Sequence, residues 1–277
     1  MICLVSDFGL SDRFASILKG VAYSVDLNLN VSDITHEITP FNVLEGAWIL
    51  AETMKFWPAG TSFVAVVDPG VGSMRKALAI KTRKDQYIYC PDNGIITFVE
   101  IESGLKEVRV IDIEKNHYSG APISNTFHGR DIFIYNAARV ASGKIRFEDL
   151  GFLFAGSLVR LVVPEPEIHE KKVTGIITHV EEPFGNLCTN ISADLLRQKR
   201  WKAGDKVKVS VLSGGKILWT DKTRFVKTFS DMKPGVSLIY IDSTQKLGIA
   251  KNSSRIFKHG IIQPGVEIKV VLEKMMR

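Results

Sequence analysis

Through about residue 158, short unbroken apolar runs alternate with stretches of helical period. Residues 2–6 (ICLVS) are apolar without alternation, the pattern of a strand buried on both faces. From about Asp12 apolar residues recur at Phe14, Ile17, Leu18 and Val21, which predicts a helix. Residues 28–33 predict a second short strand. Residues 42–56 carry Val43, Leu44, Ala47, Ile49, Leu50 and Met54 at helical spacing. Strands are expected at 63–67, 77–82 and 87–90, with shorter ones at 97–101 and 109–113, before a helix over 127–141. Strands alternating with helices predict an α/β layer with a mostly parallel sheet.

The texture then changes. Residues 158–166, rich in Val and Pro, read as a linker. Beyond them lie short β-rich runs at 172–180, 206–212, 216–219, 236–241, 247–250 and 266–271. Turns such as Ser213-Gly214-Gly215 and Pro264-Gly265 separate them, and only 192–200 has a helical pattern. The expectation is two domains: an N-terminal α/β domain over 1–158 and a C-terminal all-β, barrel-like domain over 165–277.

Length agrees, since 277 residues exceed the usual single domain. At 45% hydrophobic and 24% charged the composition is that of a globular protein with a core to fill. The formal charge of +6 suggests nucleic acid, but Lys and Arg are scattered and the aromatics are not interleaved with them. No nucleic-acid partner is expected. Three cysteines, an odd number with no CxxC pair, argue against a disulfide framework or a structural zinc site. The N-terminus lacks the pattern of a signal peptide, and no apolar run approaches the roughly 20 residues that span a bilayer. A cytoplasmic protein without a membrane partner is therefore expected.

Five turns collect polar groups: Ser6-Asp7-Phe8-Gly9, Asp68-Pro69-Gly70-Val71-Gly72 with Arg75, Pro91-Asp92-Asn93-Gly94, 125–131 (NTFHGRD) and Pro183-Phe184-Gly185-Asn186. Open α/β sheets bind ligands at the carboxyl ends of strands. Asp7 and Asp68 both follow apolar runs at such ends, and two acids there suit the vicinal hydroxyls of a ribose. Each motif also has a plain structural reading. An Asp after a strand can serve only as an Asx turn or a helix cap. His128 can be a turn histidine, Arg75 a solvated charge, and Asn93-Gly94 a tight turn. Phosphate-loop, dinucleotide, zincin and serine-hydrolase signatures are absent.

Taken in order, the set SDFG, VVDPGVGSMR, PDNG, NTFHGRD and EEPFGNLCTNI resembles the S-adenosylmethionine hydrolases that form adenosine, the SAM hydroxide adenosyltransferases, relatives of the fluorinase and chlorinase. The resemblance spans nearly the whole chain. It implies a homotrimer whose sites lie between the N-terminal domain of one subunit and the C-terminal domain of its neighbour. It implies that Asp68, Arg75 and His128 position and activate water, and that Asp7 grips the ribose. Asn186 matches an adenine-binding Asn and Phe229 an aromatic that packs on the base, with Ser243 and Ser253 as looser matches. Glu181 stands where relatives carry an Asp contacting the amino-acid end. Cys188 stands where the fluorinase has a Trp.

The implied substrate is S-adenosylmethionine itself, attacked at C5′ by water to give adenosine and L-methionine, with no metal and no cofactor. A carboxylate beside a guanidinium is a weak base at neutral pH. Asp68 is therefore expected to align the nucleophile, with Arg75 stabilising hydroxide charge. His128, an imidazole whose ordinary pKa is near 6.5, is expected to take the proton. Gly70 and Gly72 are expected to let backbone approach the sugar or the nucleophile. Two alternatives stand beside this: a halide synthase, whose practitioners carry Tyr and Ser where this chain has Asp68 and Gly129, and a non-catalytic adenosine or S-adenosylmethionine binding module using Asp7, Asn186 and Phe229.

Overall fold

A computed structural model describes residues 1–275, so the last two positions of the expected second domain lie outside the described residues. The chain forms two compact units, Met1–Leu161 and the remainder from Val162.

The first unit is built on a seven-stranded sheet. Its strands are β1 (Ile2–Ser6), β2 (Val31–Thr35), β3 (Ser62–Val66), β4 (Ala77–Thr82), β5 (Tyr87–Pro91), β6 (Leu105–Ile111) and β7 (Gly151–Leu153), in the order β2-β1-β3-β5-β4-β6-β7. The half from β2 to β5 is parallel. β4, β6 and β7 extend it antiparallel.

Both faces of the parallel half are buried, and the period of two sorts its side chains between two cores. Ile2, Leu4, Val64 and Val66 face one core with α1 (Phe14–Val25). Cys3, Val5, Phe63, Ala65 and Val67 face the other with α2 (Val43–Met54). This two-sided burial explains why the strands read as unbroken apolar runs.

Three expectations are corrected. Residues 97–101 are not a strand but open the helix α3 (Thr97–Ser103), with Val99 buried and Ile101 74% exposed. A short apolar run cannot be told from a one-sided helix by pattern alone. The strand expected at 28–33 begins later, because Asp26 accepts the Asn28 backbone N–H at 2.9 Å in an Asx turn that uses up 26–28. The helix expected over 127–141 is two elements, a π-helical turn (Gly129–Ile134) followed by α4 (Tyr135–Ala141). Asn136 Nδ2 donates to the carbonyls of Ile132 and Asn116 at 2.8 and 2.7 Å, an insertion that accompanies the break in register.

The second unit is an antiparallel sheet of β8 (Glu167–Ile168), β9 (Lys172–Glu181), β10 (Asn186–Ser192), β11 (Lys206–Ser213), β12 (Lys216–Arg224), β13 (Ser237–Ile241), β14 (Lys246–Lys251) and β15 (Gly265–Lys274), with α5 (Ala193–Gln198) the one α-helix among its described residues. The main order is β12-β11-β15-β9-β10-β14-β13, and β8 pairs with β9. Its two ends meet. Phe225 bridges to Ile239, Val226 N–H donates to the Ile239 carbonyl at 2.9 Å, and Ser237 Oγ donates to Asp221 at 2.8 Å. The sheet thus curls into a near-barrel around Val173, Leu187, Val209, Ile249 and Val270. β10 went unmarked in the sequence because Asn, Thr and Ser break its apolar run, although its first four residues are buried.

Among the described residues no helix is long and apolar enough to cross a membrane.

Candidate functional site

At the carboxyl end of the parallel half, the turns after β1 and β3 carry Asp7 and Asp68. They line a cavity of about 280 Å³ together with Phe8, Phe41, Phe127 and His128. Phe8, Phe14 and Phe127 form its apolar wall, their ring centroids 5.2–5.8 Å apart. Charge placed beside such a wall is poorly screened by water.

Arg75 ties the polar side together. Its Nε donates to Asp68 Oδ1 at 2.9 Å and its Nη2 to Asp68 Oδ2, a bidentate pair with side chains only 8% and 5% exposed. The same Nη2 lies 2.9 Å from His128 Nδ1. A guanidinium only donates, so Nδ1 accepts and the neutral ring carries its proton on Nε2. Burial, and then the neighbouring Arg75 charge, push the His128 pKa below its ordinary 6.5. The only ring lone pair of the neutral His128, on Nδ1, already accepts a hydrogen bond, and its neighbour is a cation. These facts speak against His128 as a base and for a neutral N–H donor.

Asp7 accepts the Phe41 backbone N–H at 2.8 Å. Burial raises its pKa above 3.8, Asp68 adds to the rise, and the Phe41 hydrogen bond opposes it. Phe41, which the sequence reading missed, has φ +67° and is 72% exposed at the rim. A bulky residue other than glycine in the left-handed region is uncommon. Its sequence signal was modest: an aromatic between a Pro and the helix-capping Asn42.

The glycine expectation changes. Gly72 has φ +80°, and a Cβ there would lie 2.5 Å from the Asn125 carbonyl oxygen. Its close approach is to the loop carrying His128, and it lets the Arg75 and His128 loops touch. Gly70 shows only ordinary contacts. In PDNG, Asn93 Nδ2 donates to the Val67 carbonyl at 2.8 Å, pinning the residue before Asp68, and Asp92 accepts the Val159 N–H at 2.9 Å.

The second unit carries its own cavity, about 580 Å³, and all five expected residues there line it: Glu181, Asn186, Phe229, Ser243 and Ser253. Asn186 and Glu181 are paired across the β9–β10 hairpin, and Asn186 Nδ2 donates to Glu181 Oε2 at 2.7 Å. Glu181 thereby fixes which way the amide of Asn186 points. Phe229 packs on Tyr240, centroids 4.8 Å apart. Tyr240 was missed in the sequence. Its ring lies over Gly248, where a Cβ would come within 2.6 Å, and a glycine inside a strand signals such a close approach. Ser243 and Ser253 are exposed in turns. Cys188, two residues after Asn186, is buried in β10 and does not line the cavity. Among the described residues no group of three or more His, Cys, Asp or Glu side chains is placed to hold a metal ion.

The chain thus joins a mixed α/β sheet with paired acids at its strand ends to an antiparallel near-barrel with an aromatic- and amide-lined cavity. The model of the SAM hydroxide adenosyltransferase N-terminal domain matches residues 2–151 and that of the C-terminal domain residues 175–269, and the chain belongs to this family. It is similar to the (R)-S-adenosyl-L-methionine hydrolase of Salinispora tropica, 32% identical over 97% of each chain. It is also similar to a fluorinase of Actinoplanes, 26% identical over 98% of this chain and 97% of that one. The crystal structure of an uncharacterized conserved protein from Thermotoga maritima superposes with a TM-score of 0.87, at 34% identity, covering 99% of this chain and all of that one.

Proposed function

We propose that this protein hydrolyses S-adenosyl-L-methionine to adenosine and L-methionine. Water attacks C5′ of the ribose. The new bond is C5′–O, the broken bond is C5′–S, and the electron pair leaves on sulfur to give neutral methionine. The sulfonium supplies the driving force, so the reaction calls for orientation and a shielded nucleophile rather than a metal or cofactor.

The observation that carries this reading is the single guanidinium shared by Asp68 and His128 beside an aromatic-walled cavity. Asp68 accepts a hydrogen bond from the attacking water and passes its proton to solvent. Nε2–H of His128 donates to the same oxygen, fixing its lone pair toward C5′. Arg75 holds both groups in place. Asp7 accepts from the ribose hydroxyls. In the second unit, Asn186 reads the adenine edge, Phe229 and Tyr240 pack on its face, and Glu181 orients Asn186 while facing the amino-acid end. Ser243 and Ser253 supply rim hydrogen bonds.

The active form is a cytoplasmic homotrimer in which the first unit of one subunit and the second unit of its neighbour make each site. Exposed Phe41 and Met74, 72% and 99%, support this as apolar surface awaiting cover, and three buried thiols suit a reducing compartment. The halide-synthase alternative is disfavoured because a carboxylate at the attack point repels a halide. Incubation of purified protein with S-adenosylmethionine, with and without chloride, separates the readings by chromatography. Adenosine as product in both samples supports hydrolysis; a chlorinated nucleoside, or no turnover in a long incubation, contradicts it.

A further inference from the structure

β1 ends at Ser6, one residue before Asp7, and Ser6 is 1% exposed. Its Oγ lies 2.7 Å from Nδ1 of His36, a histidine with no exposed side-chain surface. His36 Nε2 lies 3.1 Å from Asp33 Oδ1, and Lys19 on α1 donates to Asp33 Oδ2 at 2.5 Å. Partial burial works against the Asp33 carboxylate, but Lys19 and His36 hold its pKa below the ordinary value.

With the His36 ring neutral, the direction of every hydrogen bond follows. An ionised Asp33 only accepts, so His36 Nε2–H donates to it. Nδ1 of the neutral ring then accepts, so Ser6 O–H donates to Nδ1. That leaves the Ser6 oxygen to accept the Phe8 backbone N–H, 3.3 Å away. The chain of donors runs one way, from the Phe8 amide through Ser6 and His36 to Asp33, and the Lys19 cation closes it.

Local structure is bent to make this possible. Residues three apart on a regular strand face opposite sides. Between Asp33 and Thr35 the pairing of β2 with β1 carries one extra residue, Ile34, and this shift brings Asp33 and His36 to the same side. The backbone reinforces the link: Gly9 N–H donates to the His36 carbonyl at 2.7 Å and Leu10 N–H to Glu37 at 2.9 Å.

The Ser-His-Asp order is that of a hydrolase triad, but Ser6 lines neither cavity. We propose that Ser6, His36 and Asp33 are positioning residues. They lock the turn over residues 6–10, and through it set the Asp7 carboxylate, and the Phe41 amide bonded to it, at the ribose. This rests on the reading of Asp7 as the ribose acceptor, and it extends that reading to residues that never touch substrate.

The test compares Ser6→Ala, His36→Ala and His36→Asn, the last keeping an acceptor oxygen near the place of Nδ1. Hydrogen–deuterium exchange of the unliganded protein is followed in peptides covering 6–12 and 38–44. Both should exchange faster in Ser6→Ala and His36→Ala, with 63–76 and 124–132 unchanged, and His36→Asn should restore much of the protection. Losing one buried hydrogen bond that orders the site should weaken adenosine about tenfold by calorimetry, and should raise KM for S-adenosylmethionine more than it lowers kcat. Unchanged exchange at 6–12, or weakened adenosine binding that His36→Asn does not recover, overturns the proposal. If the wild-type protein binds no adenosine, the ribose reading falls, and the exchange result still decides whether the lock exists.

Discussion

Arg75 Nη2 is 2.9 Å from Nδ1 of His128 while the same guanidinium grips both oxygens of Asp68. One cation therefore fixes the orientation of an acid seven residues away and of an imidazole 53 residues away. The direction of that second hydrogen bond decides what the histidine contributes.

A neutral His128 that donates through Nε2 works best unprotonated. With its pKa below 6.5, its protonation lies on the acid side of the physiological range. kcat/KM should be level through neutral pH and fall only below the ordinary histidine range, because protonation there breaks the bond from Arg75. A steady-state pH series checks this. A limb centred at 6.5 or higher that disappears in His128→Ala would return His128 to the role of base.

Arg75→Lys keeps the charge and removes the fork. A lysine cannot serve two carboxylate oxygens and an imidazole together. By comparison with loss of one preorganised donor, kcat should fall roughly 10²–10³-fold. Adenosine binding, which rests on other residues, should stay within about threefold, less than one kcal/mol. Stopped assays and calorimetry on one preparation measure both, and a Lys variant with wild-type kcat contradicts the shared-guanidinium account.

Gly72→Ala tests the contact between the two loops. The left-handed backbone alone should cost about 1–2 kcal/mol. The new Cβ would also lie 2.5 Å from the Asn125 carbonyl oxygen, forcing the loops apart. A melting point lowered by several degrees together with reduced kcat is expected. Gly70→Ala, which meets only ordinary contacts, should be far milder. Equal effects of the two substitutions would remove the special status of Gly72.

Much of this was legible in the sequence wherever burial was two-sided. Cys3 and Leu4 go to different cores, yet both are apolar, so β1 announced itself. β10 did not, because Thr189 is buried through a hydrogen bond to the Leu247 carbonyl at 2.8 Å, and a satisfied polar side chain reads as surface. The π-helical turn at Gly129 goes with Asn136 reaching a carbonyl twenty residues away, which no local period reports. For the site, ordered motifs led to Asp7, Asp68, Arg75 and His128. The direction of the Arg75–His128 bond needed coordinates, as did Tyr240, which lies two strands from Asn186 and whose place depends on the missing Cβ of Gly248 on the strand between. Glycine spacing suggested an approach to ligand, whereas Gly72 serves an approach between loops.

The central claim is that water held by Asp68 and His128 attacks the ribose carbon directly. Turnover of S-adenosylmethionine by the purified protein in ¹⁸O-water, with mass analysis of the nucleoside, tests it most directly. The account predicts one heavy oxygen in adenosine, at the 5′-hydroxyl, and none in methionine. Adenosine without label, or a nucleoside product that is not adenosine, would contradict it.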